Sequence, residues 1–252
     1  MDCNLKKLVK SFVPDALWMK LGIMRRKWHA RNDVHLTPRE VFSRIYENGI
    51  WSTIDEADRF CSGTGSRMES VVAPYADAVK GWMSEHGDSE WTALDVGCGD
   101  FNVGGRVCGL FRRYMAVDVV PALIEMLKSN GPANVEFGCI DAIDQPLPSA
   151  DVIFIRQVLQ HLSNAQISQM VPKIRKFKHA VITEHLAYEV GPDSWNLDKV
   201  HGGDVRVSRG SGVDLEKAPF EIKPSAARIL LEVPAGDSRK EGLIRTTWYR
   251  FD

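Results

Sequence analysis

Several things are missing from this 252-residue sequence, and each absence removes a class of protein. The five cysteines (Cys3, Cys61, Cys98, Cys108, Cys139) are odd in number and include no C-x-x-C pair. Neither a disulfide framework nor a zinc knuckle is therefore expected, and a reducing compartment is. No apolar run approaches the ~18 residues that a membrane span needs, and the first residues lack the unbroken apolar core of a secretory leader. Charge of neither sign is in excess: a net charge of −1 gives no electrostatic reason to expect a nucleic-acid partner. Gly-Lys-Ser/Thr is absent, which excludes a P-loop. The 44% hydrophobic and 26% charged content is that of a soluble globular protein. The length suits one α/β domain with an added segment, and the expected location is cytoplasmic.

The chain is organised around Thr92 to Gly105, TALDVGCGDFNVGG. An apolar run (Ala93, Leu94, Val96) leads straight into Gly97-Cys98-Gly99-Asp100, the pattern of a buried strand ending in a tight turn. Such a turn, followed by a segment able to start a helix, forms a nucleotide-type site at the carboxyl end of a parallel sheet. A dinucleotide fingerprint would need a third glycine where Asn102 stands.

After this stretch, strands and helices alternate. Strands are predicted at Tyr114–Val120, Val135–Ile140, Asp151–Ile155 and His179–Thr183. Helices are predicted at Pro121–Ser129 and Ala165–Phe177, the latter kinked at Pro172. Ahead of it, Thr37-Pro38-Arg39-Glu40 opens a helix and Met68 to Glu85 forms another, with Pro74 in its first turn. The end breaks the rhythm: Ala227–Val233 and Leu243–Phe251 read as an antiparallel hairpin. The predicted fold is an α/β, Rossmann-like, doubly wound and mostly parallel seven-stranded sheet with a C-terminal antiparallel hairpin. Three parts are expected: a basic amphipathic helical segment at 1–36, a helical lid and S-G-x-G-S loop at 37–69, and the core at 70–252. Within the core, the polar stretch at about 187–224 is neither helix nor strand by pattern, and loops of that length are functional or disordered.

Two acids follow the glycine turn at the ends of the next two strands, Asp118 and Asp141. An acid at the first place accepts from ribose hydroxyls, and one at the second from an exocyclic amine. Together with Asp95-Val96-Gly97-Cys98-Gly99 and the closing hairpin, these residues resemble the class I S-adenosylmethionine-dependent methyltransferases over about Ser70 to the C-terminus. A narrower resemblance, carried by Gly49-Ile50-Trp51, Ser62-Gly63-Thr64-Gly65-Ser66 and Gln160-His161-Leu162-Ser163, is to a bacterial branch associated with surface-polysaccharide or secondary-metabolite biosynthesis. The resemblance implies S-adenosylmethionine as cofactor, with Asp95, Gly97, Cys98, Gly99, Asp118, Val119, Asp141 and Ala142 around it. Gln157 and Arg67 are candidates for its amino-acid end.

Methyl transfer to a hydroxyl needs a group that takes the proton as the new bond forms. His161 is the first candidate, with His185 and Glu184 as alternatives at the same rim. Trp195 and Arg206, with Asn196, Arg209 and Ser211, give the long loop a composition suited to a polyhydroxylated acceptor. The expected function is O-methylation of a sugar or surface-glycan hydroxyl, with O-methylation of a small soluble natural product and non-catalytic cofactor binding as the alternatives. The expected partner is thus a small molecule or glycan, and no nucleic acid. No metal site is expected; His201 with Asp198 and Asp204 is the one combination that suggests it. The basic N-terminal segment, with Trp18 and Trp28, fits either peripheral contact with an anionic membrane face or packing on protein.

Overall fold

In the computed structural model, residues 35–52 and 60–252 are described. The expected lipid- or protein-contacting segment at 1–36 lies almost wholly outside them. Helix α1 (Pro38–Glu47) starts as its sequence dictates: the Thr37 hydroxyl accepts from the Glu40 amide, Glu40 reaches back to Thr37, and Pro38 occupies the first helical position. Val41, Ile45 and Tyr46 form its buried stripe. Helix α2 (Glu69–His86) follows, and Pro74, its sixth residue, falls in the second turn rather than the first.

Seven strands then form one sheet: β1 (Thr92–Val96), β2 (Arg113–Asp118), β3 (Val135–Cys139), β4 (Val152–Arg156), β5 (His179–Leu186), β6 (Ala226–Pro234) and β7 (Leu243–Arg250). Their order is β3-β2-β1-β4-β5-β7-β6, with β1 to β5 parallel and β7 antiparallel to both β5 and β6. The chain reverses direction across the sheet between β1 and β4, the switch point at which ligands of such folds bind. Helix α3 (Pro121–Asn130) joins β2 to β3, and helix α4 (Asn164–Ile174) joins β4 to β5. Pro172 stays inside α4, which ends two residues later.

The period-2 alternation of the strands divides the core into two layers. On one face, Ala93, Tyr114, Ala116 and Phe154 pack with Val72, Tyr75, Val79 and Trp82 of α2 and Leu123, Ile124 and Leu127 of α3. On the other, Leu94, Val96, Ile153 and Ile155 pack with Ile167, Met170 and Ile174 of α4. The stretch at 187–224 joins this second layer through Val213, Leu215, Phe220 and Ile222.

That stretch has little regular structure, so its backbone groups are satisfied by side chains instead. Asn196, 3% exposed, donates to the carbonyls of Asp214 and Ala218, each at 2.8 Å, and accepts from the Asp214 amide at 2.8 Å. Arg206, with no exposed surface, sends Nη1 to Leu159 O (3.1 Å) and Gln160 O (3.0 Å), Nη2 to Leu162 O (2.7 Å) and Asn164 Oδ1 (3.1 Å), and Nε to Leu197 O (3.0 Å). Replacing Arg206 with Met would strand these oxygens and the nearby buried carboxylate of Glu184. Urea unfolding should show a loss of about 3–5 kcal/mol. The more exposed Arg209, which reaches a single carbonyl, should cost less than ~1 kcal/mol on truncation to Ala.

Candidate active site

An open cleft lies at the carboxyl ends of β1, β2 and β4. Its floor is the glycine turn. Gly97 and Gly99 take φ of +72° and +56°, the left-handed region that side chains avoid. Close packing adds a second requirement: a Cβ on Gly97 would lie 2.3 Å from Val158 Cγ2, and one on Gly99 would lie 2.4 Å from Ser62 Oγ. The amides of Gly97 and Cys98 both donate to Val117 O (2.8 and 3.1 Å), tying the turn to β2.

Asp95, Asp118 and Asp141 sit at the ends of three neighbouring strands and line this cleft. Asp118 accepts from the Gly99 amide on one oxygen and from the Val120 amide on the other, each at 3.1 Å. Its pKa is nonetheless raised, because burial outweighs these bonds. Asp95 is buried one strand away, accepts from the Tyr114 hydroxyl at 3.0 Å, and is pushed up to about 7 by desolvation. Asp141 accepts from the Ile143 amide at 3.0 Å.

β4 ends at Arg156, and Gln157 follows it at φ +56°, an uncommon conformation for a residue with a side chain. Arg156 Nη2 donates to Gly65 O at 2.8 Å and its guanidinium lies over the Tyr75 ring, 5.0 Å from the centroid. Arg156 Nε and Gln157 Nε2 are buried donors without a hydrogen-bond partner among the described residues. Unsatisfied buried donors are costly, and their presence in a cleft marks a place for an acceptor from outside the chain. The 62–66 loop roofs this end. Ser62 Oγ accepts from the Asp100 amide at 2.8 Å and bonds the Tyr46 hydroxyl at 2.9 Å.

His161 lines the opposite wall, in a short turn at Leu159–His161 whose amides are held by Glu184. That carboxylate accepts from Leu159 N (3.1 Å) and Gln160 N (2.8 Å), and burial raises it to about 8. His161 Nδ1–H faces the carbonyls of Gly202 (3.1 Å) and Asp204 (3.3 Å), so Nε2 carries the lone pair; the Gln160 amide lies 3.2 Å from it. Burial, with Lys199 adding to it, lowers the imidazole to about 3, so His161 is neutral near pH 7. Phe42 and Tyr46 of α1 and Trp51 complete the wall, with the Trp51 and His161 ring centroids 5.1 Å apart.

Of the cofactor residues expected from the sequence, all but Arg67 line the cleft. Arg67 instead reaches the Asp100 carboxylate, with Nε and Nη2 each 3.2 Å from Oδ2, and thereby latches the loop to the glycine turn. His185 is also displaced: it pairs with Ile244 along β7, and its Nε2 meets Glu241 O away from the cleft. Glu184 supports the His161 turn rather than facing the cleft. Trp195 and Arg206 do not line it, and Arg206, Asn196 and Ser211 are buried in the hydrogen bonding of the long loop. His201 has both ring nitrogens engaged, with Leu36 O at 2.8 Å and Gln166 Nε2 at 3.1 Å, and Asp204 pairs with Lys199 at 3.0 Å. Phe42, Tyr46 and Ser62 were missed as site residues, although an aromatic pair at i and i+4 beside Trp51 was a visible signal.

A family model described as a methyltransferase domain matches residues 93–178. Over these residues, which run from β1 to the end of α4, the chain is similar to a methyltransferase domain. Domains of this kind take their methyl group from S-adenosylmethionine. A search of curated proteins finds no match. Among solved structures, the fold is similar to that of the N-methyltransferase NodS from Bradyrhizobium japonicum WM9 with S-adenosyl-L-homocysteine (TM-score 0.55, 12% identity, 84% of this chain and 100% of that one). It is also similar to human N-acetylserotonin methyltransferase with its cofactor (TM-score 0.51, 15% identity, 86% of this chain and 60% of that one). A third likeness is to the DhpI–SAH complex (TM-score 0.50, 15% identity, 84% of this chain and 97% of that one).

Two outcomes follow from the geometry of the cleft. Gly99→Ala forces a left-handed backbone on a side chain and drives its Cβ into Ser62. It should weaken S-adenosylhomocysteine binding by about tenfold or more in calorimetry, with a lowered melting temperature. His161, by nitrogen-detected NMR, should stay a neutral Nδ1–H tautomer from pH 9 down to about pH 5. Because its folded pKa lies below the unfolded value, its contribution to stability is present above pH ~6.5 and is lost as pH falls from there towards 3.

Proposed function

We propose that this protein O-methylates a hydroxyl of a small molecule, with S-adenosylmethionine as donor. The observation that carries the donor half is the pairing of carboxylates at three strand ends with two buried, unpartnered donors at the end of β4. A nucleoside bearing an amino acid has complementary groups for each. Asp118, with the Val119 backbone, takes the ribose hydroxyls, and Asp141, with Ala142, takes the adenine amine. Arg156 and Gln157 would hold the donor's carboxylate, and Asp95 its ammonium. Gly97, Cys98 and Gly99 would line the place of the donor's sulfonium, which when bound supplies an electrophilic methyl group.

The protein's own task is to orient the acceptor and receive its proton. His161 Nε2 is the lone pair on that wall, and Glu184 acts as a positioning residue by holding the turn on which His161 sits. Of the residues that suggested a sugar, Asn196, Arg206 and Ser211 are occupied in supporting the loop and Trp195 and Arg209 do not line the cleft, which favours the small-molecule alternative. The surface-glycan reading and contact of the N-terminal segment with a membrane rest on the sequence; among the described residues no helix is long and apolar enough to cross a membrane.

Calorimetry with S-adenosylhomocysteine tests the donor half: no binding to the wild-type protein would end it, and Asp118→Ala should weaken binding by about tenfold or more. Affinity should also fall as pH drops below about 7, where Asp95 becomes protonated and no longer attracts an ammonium. His161→Ala should bind the cofactor product normally while losing about 10²-fold or more in turnover; wild-type rates in that variant would remove His161 from its role.

A further inference from the structure

The cleft has two chemically different ends. The strand ends carry the carboxylates, Arg156 and Gln157, whereas the wall built by α1 and the His161 turn presents Pro38, Phe42, Tyr46, Trp51, His161 and Leu162. Among the described residues, this wall carries no carboxylate, ammonium or guanidinium. Its polar atoms are already committed within the protein. Trp51 Nε1 donates to Gly203 O at 3.3 Å, the Tyr46 hydroxyl bonds Ser62 Oγ at 2.9 Å, and His161 Nδ1–H faces the Gly202 and Asp204 carbonyls. One acceptor faces the cleft, His161 Nε2, whose lone pair the Gln160 amide meets at 3.2 Å and would release to a bound hydroxyl. Phe42 and Trp51 are half-buried, so part of each ring faces the cleft, with centroids 6.0 Å apart.

We propose that the acceptor is a neutral hydroxylated aromatic ring, laid on Trp51 beside Phe42 and Tyr46 with its hydroxyl at His161 Nε2. This rests on the methyl-transfer reading above and narrows its substrate class. The wall offers one hydrogen bond and a large apolar face. A polyhydroxylated ring would leave its remaining hydroxyls desolvated without partners. An ammonium acceptor would sit beside the donor's positive sulfur with no carboxylate to offset the repulsion. A flat aromatic ring matches the rings that line the wall, and offset or edge-to-face contacts add to the area it buries.

The acid–base demand agrees with this geometry. A phenolic hydroxyl, with a pKa of about 10, gives up its proton far more readily than an aliphatic one. In the transfer, an oxygen lone pair forms the O–CH₃ bond while the C–S bond breaks, and that electron pair cancels the charge on sulfur. The hydroxyl proton passes to His161 Nε2 and from there to water, leaving an aryl methyl ether.

The test uses the full chain saturated with S-adenosylhomocysteine and saturation-transfer NMR with three probes: 4-methylphenol, methyl α-D-glucopyranoside and benzylamine. The phenol should bind and the other two should not. Trp51→Ala should weaken the phenol by about tenfold or more, and the milder Phe42→Leu should weaken it measurably with the fold retained. Absence of phenol binding, preference for the glucoside or the amine, or unchanged phenol affinity in both variants overturns the proposal. Failure of S-adenosylhomocysteine itself to bind overturns the underlying methyl-transfer reading instead, so the two failures are told apart.

Discussion

A guanidinium with no access to water must place its N–H groups on protein oxygens, and Arg206 does so across three segments. It joins the His161 turn, the start of α4 and the long loop at Leu197. The opposite side of the same turn is fixed by Glu184, whose carboxylate receives its amides. Once the loop is held, its backbone at Gly202 and Asp204 orients the imidazole, its Gly203 carbonyl receives the Trp51 indole, and His201 Nε2 donates to the Leu36 carbonyl. The acceptor wall is therefore a consequence of one buried guanidinium and one buried carboxyl group, neither of which lines the cleft.

The two ends of the cleft differ because their supports differ. At the strand ends, backbone amides run out of sheet partners, and carboxylates such as Asp118 receive them while keeping further acceptor capacity for a ligand. At the α1 wall, the aromatic residues face one another and the neighbouring carbonyls absorb their N–H groups. One end is suited to a charged nucleoside and the other to a neutral flat partner.

Much of the fold was legible before any coordinates. Alternating apolar runs marked β1 to β5, because period-2 burial leaves little freedom in which residues face the core. The hairpin showed itself by lacking a helix between two strand-like runs. Boundaries moved: β5 runs on to Leu186 because β7 pairs with it throughout, a tertiary contact that local pattern does not contain. The long loop was misread. Asn196, Arg206 and Ser211 have the composition of a ligand site, yet each is at most 3% exposed and hydrogen-bonds the backbone. Polar side chains serve equally to bind a ligand or to satisfy an irregular backbone, and sequence does not distinguish the two.

The sequence by itself determined the fold and the positions of the glycine turn and its two following acids. These are local requirements: φ sign, strand period and the distance from turn to strand end along one chain. Tertiary structure decided which histidine faces the cleft, that Arg67 serves Asp100, and that α1 brings Phe42, Tyr46 and Trp51 to the acceptor side. The placement of α1 depends on contacts between residues more than 100 positions apart, such as Trp51 with Gly203 and Leu36 with His201, separations of 152 and 165. No spacing rule reaches that far, because the path between such residues is set by the packing of everything folded in between.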